Sequence, residues 1–301
     1  MSEQELIDLS NGSKTELKQF SQLYGYGIEL KKYGLYPNLL PLPVHCNHGI
    51  TFLDYPVKTD LENGLPVMLV FSERMQKIWL RYSKKPCYVV KNPFAIYKDR
   101  NNIKKDVNAK GSVFFFSHST AHTNVEIGLE NIIYELEKLP EKFKPITICF
   151  YYLDILKGAH KYFMDRGFEC VTAGNPLHPD FIKRFYNIIK SRKYGLSNSI
   201  GSHLFYLVDL GLPFSLIGNP PIYKNISDPN FNKGVLINNS DHKSYVIKLF
   251  TGLFDKISPE QKELVNSELG LKNSIGRLSF IFLIYKTLLF HSMNKILNRK
   301  I

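Results

Sequence analysis

At 301 residues the chain exceeds the ~150 that ordinarily form one domain, and 44% hydrophobic content with 18 Tyr and 21 Phe excludes global disorder. Lys and Arg number 39 against 27 Asp and Glu, a charge of +12 that attracts polyanions, nucleotide phosphates or anionic headgroups without choosing among them. Four scattered cysteines (Cys46, Cys87, Cys149, Cys170) without a CxxC pair exclude a zinc ribbon and a disulfide-dense scaffold and suit a reducing cytosol.

The polar, acidic stretch 1–14 does not read as a signal peptide, and no apolar run reaches the ~20 residues of a bilayer span. The first forty residues read as helix and then irregular chain, punctuated by Gly25, Gly27, Gly34 and Pro37. Apolar runs at 41–50, 65–72 and 85–94 predict strands, and 72–84 predicts a helix between two of them, which makes a βαβ unit. The polar segment 99–111 predicts an interdomain connection. Beyond it the alternation is regular. Strands are predicted at 112–117, 145–154, 168–174, 194–198 and 213–218, with helices at 124–140, 155–167, 178–193 and 200–211 between them. That order predicts a parallel, doubly wound sheet. Residues 219–234 read as a Pro/Asn-rich loop, and 240–257 and 258–271 as helices, the second opened by a Ser258/Gln261 capping box.

Ligands of open parallel sheets bind beyond the carboxyl ends of the strands, where helix N-termini present free N–H groups. The residues at that edge are Ser117 to His122, Tyr151 to Asp154, Gly174 to Pro179 and Ser197 to His203. Any one of these loops could be polar merely to cap a helix; four at one edge point to a ligand site. Ser197 to His203 is the most specific. Its small residues let a phosphate approach the backbone, and Ser199, Ser202 and His203 can add side-chain donors. GxGxxG and GxxxxGK[ST] are both absent, which moves the reading away from hydride transfer and ATP hydrolysis and toward a nucleotide-linked sugar. His118 and His122 have i, i+4 spacing but lack the glutamate of HExxH, so one is read as facing the ligand and the other as structural. In the N-terminal half His48, immediately before Gly49, is the candidate base for an acceptor hydroxyl, with Asp54 as the alternative and Asp60 behind it. The tail 275–301 is apolar and aromatic, with Arg277, Lys286, Lys295, Arg299 and Lys300 interleaved. It predicts a helix that packs across the domains, touches anionic lipid, or does both.

Three stretches, read in order, resemble bacterial GT-B-type glycosyltransferases of surface-polysaccharide (capsule or lipopolysaccharide) synthesis. They are the His48-Gly49 turn followed by Phe71-Ser72-Glu73 through Trp79 and Lys91 to Phe94; Phe114 to Thr120; and Ser197 to His203 with Phe205-Tyr206 and Gly211-Leu212-Pro213. The resemblance implies an α/β fold of two Rossmann-like domains facing a cleft: an acceptor-side domain over 1–105, a nucleotide-sugar-binding domain over 106–270, and a C-terminal helix over 271–301. It implies metal-independent transfer with no cofactor, with His48 or Asp54 as catalytic base. The donor would be held by His118, Ser119, Thr120, Tyr151, Asp154, His178, Asn198, Ser199, Gly201, Ser202 and His203. His178-Pro179 resembles the His-Pro element of transferases that use CMP-sugars; CMP-, UDP- and GDP-linked donors all stay open. The implied partners are a nucleotide sugar, a glycan or lipid-linked acceptor and an anionic membrane surface, with no nucleic acid. The implied place is the cytoplasm, peripheral to the inner face of the membrane. The alternatives are a sugar-nucleotide epimerase or hydrolase on the same scaffold, and a non-catalytic glycan- or partner-binding homologue.

Overall fold

A computed structural model describes residues 1–12 and 20–297. Arg299 and Lys300 lie outside the described residues, as does the side chain of Lys295. Helix α1 (Glu3–Asn11) opens on a capping box made by Ser2 and Glu5, and a 3₁₀ turn (Phe20–Gly25) leads into α2 (Tyr26–Tyr33). Then follow β1 (His45–Cys46), α3 (Lys58–Glu62), β2 (Met68–Val70), α4 (Glu73–Tyr82), β3 (Cys87–Val89) and α5 (Pro93–Arg100). The three strands pair in parallel in the order β1-β2-β3, and β2-α4-β3 is the βαβ unit expected at 65–94. α4 forms because Ser72 caps it by accepting from Met75 N–H, while Met75, Ile78 and Trp79 bury one face.

The second half runs β4 (Ser112–Phe115), β5 (Thr123–Glu126), α6 (Leu129–Glu137), β6 (Ile146–Phe150), α7 (Tyr152–Leu156), α8 (Ala159–Met164), β7 (Glu169–Thr172), α9 (Phe181–Ile189), β8 (Tyr194–Ser197), α10 (Ser202–Asp209) and β9 (Phe214–Leu216). Five of its strands make a wholly parallel sheet in the order β7-β6-β4-β8-β9, with Phe115 opposite both Cys149 and Ser197. All five strands end at one edge, and the winding reverses between β4 and β8. α1 lies against α7 and β7, and Leu6 is buried among the side chains under this sheet.

Two expectations need correcting. Residues 124–126 are not helical. β5 pairs antiparallel with β10 (Ile222–Asn225), which pairs with β11 (Gly234–Val235), so a three-stranded ribbon replaces the start of the 124–140 helix and part of the 219–234 loop. Helix begins only at Leu129, because 123–126 alternates buried and exposed positions in the period of a strand. The helix expected over 155–167 is broken at Gly158, which takes φ +82°.

The chain closes with α11 (Asp241–Phe250), α12 (Pro259–Glu268) and α13 (Arg277–Leu297). The capping box forms at Ser258 and Gln261 as expected. α12 packs on both α10 and α4, and the backbone then rejoins the first sheet. Asn92 N–H donates to Leu269 O at 3.0 Å and Ile275 N–H to Val89 O at 2.9 Å. Gly270, at φ +63°, makes this crossing: a Cβ there would stand 2.7 Å from Val90 O and 2.9 Å from Phe71 O. The C-terminal helices therefore span both halves. Among the described residues no helix is long and apolar enough to cross a membrane. All four cysteines are buried and free, and burial pushes each thiol up to about 12.

Candidate functional site

The reversal point between β4 and β8 is where an open α/β sheet leaves a crevice. Ser117 leaves β4 there, and Asn198 and Ser199 leave β8. Ser197 Oγ fixes the turn by donating to Phe115 O at 2.8 Å and accepting from Ser199 N–H at 3.1 Å. Ser117 Oγ then lies 2.5 Å from Asn198 Oδ1 and 2.9 Å from Ser199 Oγ. The Tyr223 hydroxyl, from β10, is near Ser199 and Ser117, which offset part of the upward shift that burial gives its pKa. Next in the chain is α10, whose N-cap residue Gly201 supplies no side-chain cap. Its free amides and dipole favour an anion.

His203, in the first turn of α10, stacks on Phe115 with centroids 4.8 Å apart and planes 14° apart. Burial pushes its pKa down to about 3, helped by nearby His118, and its Nε2 is buried with no partner among the described residues. The imidazole is therefore neutral at working pH and offers a polar atom to a ligand, without a positive charge. His118 packs on Tyr151 at 4.3 Å, and its Nδ1–H donates to Ser119 O at 3.2 Å. Desolvation lowers its pKa, although the side chain still reaches solvent.

Asp154, at the start of α7, is buried. Its Oδ1 accepts a long 3.4 Å bond from Ser119 N–H, and Oδ2 has no partner among the described residues. Burial raises its pKa from 3.8 to about 6. For a raised pKa the stability contribution is complete below 3.8 and is lost as pH rises through about 6. Roughly two units correspond to about 3 kcal/mol at most. Asp154→Asn is therefore expected to raise Tm by about 5 °C at pH 8 and hardly at all at pH 4. Thermal melts at both pH values test this, and a melt that falls at pH 8 would overturn it.

The first half meets this edge through the loop after β1. Ile50 N–H donates to Ser202 Oγ at 2.9 Å, and Gly49 makes room for that approach, since a Cβ on it would stand 2.8 Å from the same oxygen. His48 precedes them. It is exposed, yet desolvation lowers its pKa, opposed by Asp60 and Asp228 and assisted by His45. The loop is anchored from below by Asp60, buried in α3, whose two oxygens lie 2.8 Å from His45 Nε2 and 2.8 Å from Asn47 Nδ2. Further along, Arg74 donates to Thr51 O, Ser240 Oγ to Phe52 O, and Thr59 N–H to Asn230 Oδ1.

The structure thus brings together His48, His118, Ser119, Tyr151, Asp154, Asn198, Ser199, Gly201, Ser202 and His203 around the facing edges. Three residues go elsewhere. Thr120 is exposed, and its Oγ1 accepts from His122 N–H in the turn into β5. His178 lies under the end of α1, bonded to Asp180 N–H at 3.1 Å and Arg184 at 3.2 Å. Asp54 is exposed, and its charge is felt at His242 on α11. His122 bonds Ser227 Oγ at 2.8 Å from a non-helical segment, so the helical face required by the i, i+4 spacing does not exist. Among the described residues no three His, Cys, Asp or Glu side chains gather as a metal-holding group.

Sequence reasoning missed Tyr223 and a buried cluster behind the His48 loop. There Glu268 accepts from Arg74 Nε at 2.9 Å, Arg74 Nη2 at 3.0 Å and Ser72 Oγ at 3.3 Å, with His242 Nε2 at 3.7 Å. One signal was available. Glu268 falls in register with Val265 and Gln261 on the buried face of α12.

No protein-family model and no curated protein matches the sequence. Among solved structures, three of the wall teichoic acid polymerase TagF are similar. One, soaked with CDPG for 15 minutes, has 12% identity and a TM-score of 0.43, covering 82% of this chain and 67% of that one. A 30-minute soak gives 12% identity and a TM-score of 0.33 over 74% of this chain and 51% of that one. The third gives 10% and 0.37 over 81% and 62%.

Proposed function

We propose that the chain is a glycosyltransferase that moves a sugar from a nucleotide-sugar donor to a hydroxyl of a glycan or lipid-linked glycan, in surface-polysaccharide synthesis at the cytoplasmic face of the membrane. One observation carries the reading. The loop bearing His48 meets the uncapped start of α10 at the carboxyl edges of both sheets, joined by the Ile50–Ser202 bond. A base is thereby set opposite an anion-binding terminus.

In this reading His48, kept neutral by desolvation, takes the proton of the acceptor hydroxyl. The acceptor oxygen bonds the anomeric carbon as the bond from that carbon to the phosphate oxygen breaks. Negative charge then grows on the departing phosphate, where the α10 amides and the hydroxyls of Ser199 and Ser202 meet it. Asn198 and Ser117 hold that loop in place, and Asp154, Tyr151 and His118 flank the nucleotide. A donor held by Ser199 meets the nearby Tyr223 hydroxyl as well.

The test is a thermal-shift panel with CMP-, UDP-, GDP- and TDP-sugars, followed by an acceptor assay. At least one nucleotide class is expected to raise Tm, and Ser199→Ala with His203→Ala is expected to weaken that donor about tenfold or more, the loss of one to two charge-assisted bonds. If no nucleotide stabilises the chain, the reading is wrong. Turnover of donor without any acceptor would replace it with a hydrolase or epimerase.

A further inference from the structure

We propose that the outward side of α13, together with the loop 34–40, docks on an anionic lipid surface. This deepens the membrane placement in the proposed function, and it rests on a part of the molecule other than the cleft, so its failure leaves the transfer reading standing. α13 buries Phe280, Leu283, Ile284 and Thr287 against the first half, and Gly34 admits the Ile284 and Phe280 side chains. A helix packed on one side normally turns polar residues outward. Here the outward side carries Leu278 (83% exposed), Phe282 (68%), Tyr285 and Leu289 (65%), spaced i, i+4, i+7, i+11, with Phe290 beside them.

The apolar surface continues into the loop alongside. Tyr285 donates to Leu35 O at 2.7 Å and Arg277 Nε to Tyr33 O at 2.8 Å, and in that loop Leu35 (64%) and Leu39 (98%) are exposed as well. Contiguous apolar exposure on this scale marks an interaction surface.

Charge selects the occupant. Lys286 Nζ sits 5.9 Å from the ring centres of both Phe282 and Phe290, and Arg277 and Lys31 flank the patch. Residues 30–53 and 269–301 contain no Asp or Glu at all. A second copy docking by the same face would set these cations against their own mates. Anionic headgroups instead pair with them while Leu and Phe side chains enter the acyl boundary, the arrangement of an interfacial helix. Because α13 packs on α2 in the His48 half, the face belongs to the side of the molecule that would receive the acceptor.

The experiment is flotation of the full chain with phosphatidylcholine vesicles, with and without phosphatidylglycerol. Binding is expected to the anionic vesicles and to fall with added salt. Lys286→Ala is expected to weaken it about fivefold, and Phe282→Glu with Leu289→Glu roughly tenfold or more, with the melting temperature kept. The proposal is overturned by failure to float with anionic vesicles, by equal flotation with neutral ones, or by a double variant that still floats. It also falls if light scattering shows a dimer that the double variant dissolves while no vesicle is bound.

Discussion

Replacing His48 by alanine is expected to lower kcat/KM by about 10²- to 10⁴-fold, the range over which a positioned general base acts. Stability should change little, because the side chain is exposed. The pH profile separates a catalytic loss from a structural one. The His48 pKa lies below its ordinary 6.5, chiefly through desolvation, so the ring is the base at neutral pH and protonates only on acidification. Log kcat/KM of the wild type is therefore expected to be flat above pH 7 and to fall on the acid side, and the variant should lose that limb. Asp54→Ala should leave both rate and profile nearly unchanged, since Asp54 is exposed and its charge is felt at His242, while the contact to Ser202 is made through Ile50. A full rate in His48→Ala beside a collapsed rate in Asp54→Ala would reverse the assignment.

The five-stranded sheet could be read from the sequence because its inner strands are buried on both faces. Runs such as SVFF and ITICF are mostly apolar and buried at every position, and short helices with obvious stops lie between them. Once the order of alternation is known, the edge carrying Ser117, Asp154 and Ser199 follows from topology alone. Where each side chain goes at that edge does not. Thr120 turned outward because its segment continues into β5, and His178 was covered because α1, more than a hundred and sixty residues earlier, packs over its loop. The ribbon was hidden for a related reason. β5 is polar and half exposed, and its partner β10 lies nearly a hundred residues away, so neither run is distinctive by itself. Tyr223 was lost with it. The first sheet was legible only as short apolar runs, and its strands are two or three residues long.

Glu268→Ala is expected to cost about 3–5 kcal/mol, because it removes the anion from a mostly buried guanidinium and strands the cation. Glu268 is 2% exposed and holds Arg74 through two bonds, at 2.9 and 3.0 Å, so no water readily takes its place. The melting temperature should fall by about 10 °C. Double replacement, Arg74→Met with Glu268→Leu, should recover much of the loss, since neither charge is then left without its partner. The effect also reaches the site. Arg74 Nη2 donates to Thr51 O at 2.5 Å, three residues beyond His48, so the Glu268–Arg74 pair positions the loop that carries the proposed base. Even at a temperature where Glu268→Ala is fully folded, kcat should therefore drop with its pH profile unchanged in shape, the mark of a misplaced base and not of a missing one. In the double replacement, which has lost the tether to Thr51 but regained stability, the deficit in kcat should persist. If its rate recovers along with its melting temperature, the cross-link serves stability alone and the placement of His48 has another source.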